Sequence, residues 1–72
     1  FSDMLHSYIV ELKYAKSKDT DAHVEQLRQD AIRQVIRYAE SEVVTSAIKT
    51  TQLHKIIVVY KGTEMVVCEE VE

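Results

Sequence analysis

The chain has 72 residues, 46% of them hydrophobic, with 9 Lys and Arg against 12 Asp and Glu for a net charge of −3. That length allows one domain at most, near the lower limit for an independent core, and no run of about 18 apolar residues offers a membrane span. The charge balance supplies no overall basic field for nucleic acid, although a local basic patch is enough for such binding.

Cys68 is the single cysteine, which excludes an intrachain disulfide and fits a reducing, cytoplasmic setting. His6, His23 and His54 have no spacing that suggests a zinc site, and each reads as a surface or strand-end residue. The chain opens on Phe1 and leads almost directly into a strand, without a signal-peptide pattern. The expectation is a piece of a longer protein.

Residues 7–15 read as a strand. Tyr8, Val10, Leu12 and Tyr14 share one face, while Ile9, Glu11 and Lys13 share the other. The polar connection KSKDTD follows, in which Asp19, Thr20 and Asp21 can each accept a hydrogen bond from a free N–H at a helix start. Residues 21–40 read as a helix. Val24, Leu27, Ala31, Val35 and Tyr38 recur at spacings of three and four, and Ile32, Ile36 and Ala39 widen the stripe. A short second helix is expected from about Glu42 to Lys49, weakened by its β-branched residues.

The run LHKIIVVYKG, residues 53–62, is apolar on both faces through IIVVY, as suits a central strand. Gly62, the one glycine, stands where Lys61, Gly62 and Thr63 would form a hairpin loop into a last strand, EMVVCEEV, at 64–71. The expected fold is therefore α/β, a small mixed sheet in strand-helix-strand-strand order. Its first two strands lie parallel across the helical crossover, and the third returns antiparallel. One main helix covers one face of such a sheet. The other face needs cover from more of the protein or from a second copy, and a homodimer is the expectation.

Glu11 and Lys13 carry the first chemical signal. Residues two apart on a strand point the same way, roughly 6.5–7 Å apart. A carboxylate is a hard oxygen ligand for Mg²⁺ or Mn²⁺, and a neighbouring ammonium can orient a water or offset charge on a phosphate. The same pair is also an ordinary ion pair on a strand. Gln34 and Tyr38, four apart on the helix, share a face that includes Leu27 and Ala31 and is expected to turn towards the sheet, and a glutamine on that packing stripe calls for a partner. Cys68 alternates with Val67 and Glu69 and reads as a small strand residue rather than a nucleophile. The acidic end CEEVE reads as a solvated strand end.

Glu11-Leu12-Lys13 in an apolar strand, then AIRQVIRYAE with Gln34 and Tyr38, then HKIIVVY, resembles the PD-(D/E)XK nuclease superfamily. E-x-K is similar to its catalytic strand, and Q-x-x-x-Y to a helix motif of its recombination-exonuclease branch. The wording YIVELKYAK … AIRQVIRYAE … LHKIIVVYKGTEMVVCEEV resembles most the nuclease-like domain at the C-terminal end of AAA-ATPase-like proteins of Bacteroidetes, over almost the whole chain.

The resemblance implies a restriction-endonuclease-like core that acts on DNA with Mg²⁺ or Mn²⁺. In it Glu11 and the backbone carbonyl of Leu12 are metal ligands, Lys13 positions the attacking water, and Gln34 and Tyr38 are accessory. Lys16, Lys18, Arg33 and Arg37 are within range of phosphate in principle, though each reads first as solvated surface. One departure stands out. The family's first motif is an aspartate on the preceding strand, and the only acid upstream of Glu11 is Asp3. To face Glu11 it would need a chain reversal around His6 to Tyr8, where no Gly, Asn or Pro supports one. The expectation is the C-terminal part of a nuclease domain, inactive alone, which joins the remainder of its parent chain. The alternative is a nuclease-like fold kept as a binding or assembly module.

Overall fold

The computed structural model describes residues 5–41, 44 and 51–72. Three strands and one helix follow in the order β1 (His6–Ala15), α1 (Asp21–Ala39), β2 (Gln52–Lys61) and β3 (Glu64–Val71). The sheet has the spatial order β1-β2-β3. β1 pairs parallel with β2, in a register that sets Glu11 opposite Ile57 and Lys13 opposite Val59. β2 pairs antiparallel with β3. The chain is thus an α/β unit with a mixed sheet, as its patterning predicts. The short helix expected at 42–49 lies outside the described residues except for Val44, which is helical and buried.

The connection from β1 to α1 shows how the helix start is chosen. Asp19 turns back on its own loop and accepts from the Lys16 N–H at 2.7 Å. Thr20 is then the cap, its hydroxyl accepting from the His23 N–H at 3.1 Å. Asp21 falls in the first turn, where a negative charge opposes the positive end of the helix dipole. Of the three candidate caps the structure takes the middle one, because Asp19 is committed to the loop.

α1 lies on the sheet face that carries Ile9, Glu11 and Lys13. Its contact row is Ala31, Val35 and Ala39, all buried and spaced by four. Ala31, Val35 and Ile57 form the core, with Ile9, Ile32, Ile36, Val67 and Val71 packed around them. Tyr38, expected on the stripe, is instead 58% exposed. The packing row follows the four-residue ridge from Val35 to Ala39, which turns Tyr38 onto the helix flank it shares with Gln34. The opposite flank reaches β3, where Arg28 forms an ion pair with Glu69 at 3.0 Å. Hydrogen bonds to Glu69, and then the attraction of its charge, hold the Arg28 guanidinium above its ordinary pKa.

The second face of the sheet has no helix among the described residues. Tyr8, Val10, Leu12 and Tyr14 stand exposed along β1. Rings gather at its two ends: Tyr8 stacks on His54 at one and Tyr14 on Tyr60 at the other. β2, paired on both sides, keeps Ile57, Val58 and Val59 buried even so.

The hairpin from β2 to β3 is tighter than its sequence suggests. Lys61 remains in β2, and only Gly62 and Thr63 form the turn. Gly62 has φ +62°, the left-handed value needed at the first central position of a type II′ turn. Its N–H donates to the Ala15 carbonyl at 2.9 Å, and a Cβ there would meet Ser17 Cβ at 3.1 Å. Beyond the turn β3 holds one extra residue, since Val59 faces Val67 while Tyr60 faces Met65. Gly62→Ala combines a left-handed penalty of about 1–2 kcal/mol with the Ser17 contact. Thermal unfolding should show a Tm lower by roughly 4–8 °C for each kcal/mol in a domain of this size. An unchanged Tm would mean that the turn relaxes without cost.

Candidate active site

Strand alternation and the helix position together place Glu11 and Lys13 under α1. They sit beyond Ile9, towards the C-terminal end of β1, where the packed core gives way to partly open polar side chains. Lys13 Nζ is 3.5 Å from Glu11 Oε2, with the two side chains 21% and 28% exposed. The same ammonium donates to Gln34 Oε1 at 2.9 Å. Gln34 therefore has the partner that its position beside the packing stripe calls for, and that partner is the Lys13 ammonium rather than a backbone group.

The consequence is an ordered ammonium. A lysine side chain has four rotatable bonds, and a surface lysine samples many of their combinations. Here two acceptors from two elements hold one end point. Glu11 keeps its second carboxylate oxygen outside this contact, so one edge of the carboxylate remains available to another cation.

The other site residues surround this pair less closely. Leu12 lies between them in β1, with its side chain on the opposite face and 42% exposed. Tyr38 is one turn beyond Gln34 on the same flank of α1 and in no described contact with Glu11 or Lys13. Arg33 is paired with Asp30 one turn earlier on the helix. Lys16, Lys18 and Arg37 are exposed, and none of them has an ion-pair partner among the described residues. Asp3 lies outside the described residues. β1 is one unbroken strand from His6 to Ala15, so the chain does not reverse between His6 and Tyr8.

A divalent metal is the group this arrangement raises. The donors are right in kind, since carboxylate and carbonyl oxygens are the hard ligands that Mg²⁺ and Mn²⁺ take. They fall short in number: among the described residues no group of three or more His, Cys, Asp or Glu could hold a metal ion. Glu11 alone, even with the Leu12 carbonyl, does not make an octahedral oxygen site.

The fold and these side chains define a class: a strand-helix-strand-strand α/β unit with Glu-x-Lys on its edge strand, braced by a glutamine from the helix. The comparison by family agrees, since the model described as the PD-(D/E)XK nuclease superfamily matches residues 1–70. The chain belongs to that superfamily, whose nucleases generally use divalent metals and act on DNA. No curated protein and no solved structure matches it significantly.

Sequence periodicity puts Lys13 and Gln34 on facing surfaces. It does not choose between a backbone and a side-chain partner for Gln34, because that choice depends on how far along β1 the helix lies. A double-mutant cycle measures the contact. Lys13→Ala, Gln34→Ala and the pair should give a coupling of about 0.5–1 kcal/mol in chemical denaturation, the range of a partly exposed charge-assisted hydrogen bond. Zero coupling would remove Gln34 as the brace of Lys13.

Proposed function

We propose that this chain carries the Glu-x-Lys part of a divalent-metal-dependent DNA nuclease site, whose reaction is phosphodiester hydrolysis. The observation behind it is the Lys13 ammonium, held at 2.9 Å by Gln34 and 3.5 Å from Glu11 on the helix-covered side of an edge strand. In this reading Glu11 and the Leu12 carbonyl face the cation. Lys13 orients the attacking water and offsets charge on the phosphate, and Gln34 keeps Lys13 in place. Tyr38, on the exposed flank beside Gln34, meets the DNA. A divalent ion, when bound, supplies Lewis acidity and a more acidic water.

The second carboxylate comes from elsewhere in a longer domain, on a strand laid against the edge of β1 away from β2, so the chain alone is inactive. The longer protein is of the AAA-ATPase-associated kind and acts in the cytoplasm, a reducing setting that the free thiol of Cys68 fits. Among the described residues no helix is long and apolar enough to cross a membrane.

Incubation of this chain, and of the complete domain, with linear and circular DNA and Mg²⁺ or Mn²⁺ tests the reading. The complete domain should cleave, and Glu11→Ala and Lys13→Ala should each lower its rate by about 100-fold or more, as loss of a positioned catalytic group does. Gln34→Ala should cost about ten-fold. The short chain should not cleave. If it does cleave, and Glu11→Ala abolishes that, then Asp3 or a second copy completes the site. A complete domain that never cleaves DNA would favour the alternative of a non-catalytic binding or assembly module.

The uncovered sheet face supports one more part of the proposal. Tyr8, Val10, Leu12 and Tyr14 are 62%, 56%, 42% and 67% exposed on a strand that, among the described residues, pairs on one side only. Such an edge and face invite a second chain, and a two-fold pairing would cover both copies at once. Sedimentation equilibrium of the isolated chain at micromolar concentration should therefore report at least a dimer. A well-folded monomer throughout that range would contradict it.

A further inference from the structure

At the N-terminal end of β1, on the face away from α1, three titratable side chains form one hydrogen-bonded line. Glu70 Oε2 lies 2.8 Å from His54 Nδ1, and His54 Nε2 lies 2.8 Å from His6 Nδ1. They come from three different strands: His6 from β1, His54 from β2 and Glu70 from β3. The spacing in sequence conceals this. The parallel register puts Tyr8 opposite His54, and the reach of an imidazole brings His6 diagonally onto the same ring. Tyr8 stacks on His54 with ring centroids 4.8 Å apart and planes 18° apart, which fixes the plane of that imidazole.

The geometry points to a binding site for a borderline divalent cation, of the Zn²⁺, Ni²⁺ and Cu²⁺ class, with His6 Nδ1 and His54 Nε2 as its ligands and Glu70 as the group that orients His54. With neutral rings, the His54 Nδ1–H donates to Glu70, leaving Nε2 a lone pair. A carboxylate behind a histidine is the arrangement that sets the tautomer and raises the basicity of a metal-ligating imidazole. In that state His6 Nδ1–H donates to His54 Nε2; for a cation to bind, the His6 proton moves to its Nε2, and the lone pair freed on Nδ1 faces the ion together with that of His54 Nε2. With metal–nitrogen bonds of about 2.05 Å, two ligands at a right angle lie about 2.9 Å apart, and at the tetrahedral angle about 3.4 Å.

The ring nitrogens, at 2.8 Å, are thus already near the spacing of a right-angled pair. Besides the His6 tautomer, only the directions of their lone pairs must change. His6 is exposed and free to tilt, while His54 is held by Glu70 and Tyr8. Imidazole nitrogen selects this class of ion over Mg²⁺. Two protein ligands make a site of modest affinity with its remaining positions open to water, consistent with the absence of a three-residue metal group among the described residues.

The site is independent of the nuclease reading. His6 and Glu11 are five apart in β1 and so lie on opposite faces, roughly 16 Å apart along the strand. A cation here would clip β1 to β2 at the end where the sheet begins.

Calorimetric titration of the intact chain with NiCl₂ and ZnCl₂, in buffer with excess MgCl₂, reads the site, and amide NMR with Zn²⁺ locates it. The expected result is one ion per chain, with shifts centred on His6, Tyr8, His54 and Glu70. His6→Ala, an exposed position that leaves the core intact, should weaken binding by at least ten-fold. Glu70→Gln should weaken it by about ten-fold, the lower end for loss of an orienting carboxylate. His23→Ala, at the helix start, should leave it unchanged. Three results would each overturn the proposal: no heat or shift from the folded chain at millimolar Ni²⁺ and Zn²⁺, undiminished binding in His6→Ala, or loss of binding in His23→Ala.

Discussion

The parallel pairing of β1 with β2 is the constraint on which the rest depends. β2 is the central strand, and Ile57 and Val59 on its helix side are fully buried. Because β1 lies beside it in fixed register, Glu11 and Lys13 are carried opposite those two residues. A shift of one residue in β1 would turn Glu11 and Lys13 to the other face and bury Val10 and Leu12 under α1 instead. That face would be more apolar, yet the observed register is held by Ile9 in the core and by the polar grip of Gln34 on Lys13. A fold that stabilised only its core would have little reason to choose this register.

The sheet therefore divides its tasks between its faces and its edges. Under the helix, the core residues Ala31, Val35 and Ile57 give way towards the outer edge of β1 to a charged pair that is partly open. An edge strand is the one place in such a sheet where a carboxylate can lie close to a packed helix and still meet solvent or substrate. The flank of α1 with Gln34 and Tyr38 overhangs that edge, whereas the flank with Arg28 is tied to β3. A site built this way draws its precision from the helix-on-sheet packing rather than from a loop.

Much of this was legible in the sequence, for specific reasons. The alternation in YIVELKYAK fixes which residues share a face, and the two-sided run IIVVY fixes which strand is central. Gly62 marks the hairpin because few residues besides glycine readily take a positive φ. Other features were hidden. Tyr38 fits a three-and-four stripe on paper but leaves the core, because the packing follows the four-residue row through Val35 and Ala39. The Lys13–Gln34 contact needs the axial placement of the helix, which periodicity does not set. His6, His54 and Glu70 are far apart in the chain and meet only through two strand registers, so the histidine spacing carried no signal. The roles of Glu11, Lys13, Gln34 and Tyr38 came from the resemblance in their motifs, and residue chemistry alone favoured an ordinary ion pair for Glu11 and Lys13.

The most direct measurement is a crystal structure of the complete domain bound to a DNA duplex with Ca²⁺, an ion that takes oxygen ligands. The arrangement predicts a Glu11 carboxylate oxygen within about 2.3–2.6 Å of the ion. It also predicts the Lys13 ammonium on the same side, still bonded to Gln34 and within hydrogen-bond reach of the scissile phosphate or its water. An ion bound away from Glu11, or DNA lying on the exposed face of Tyr8 and Leu12, would contradict it.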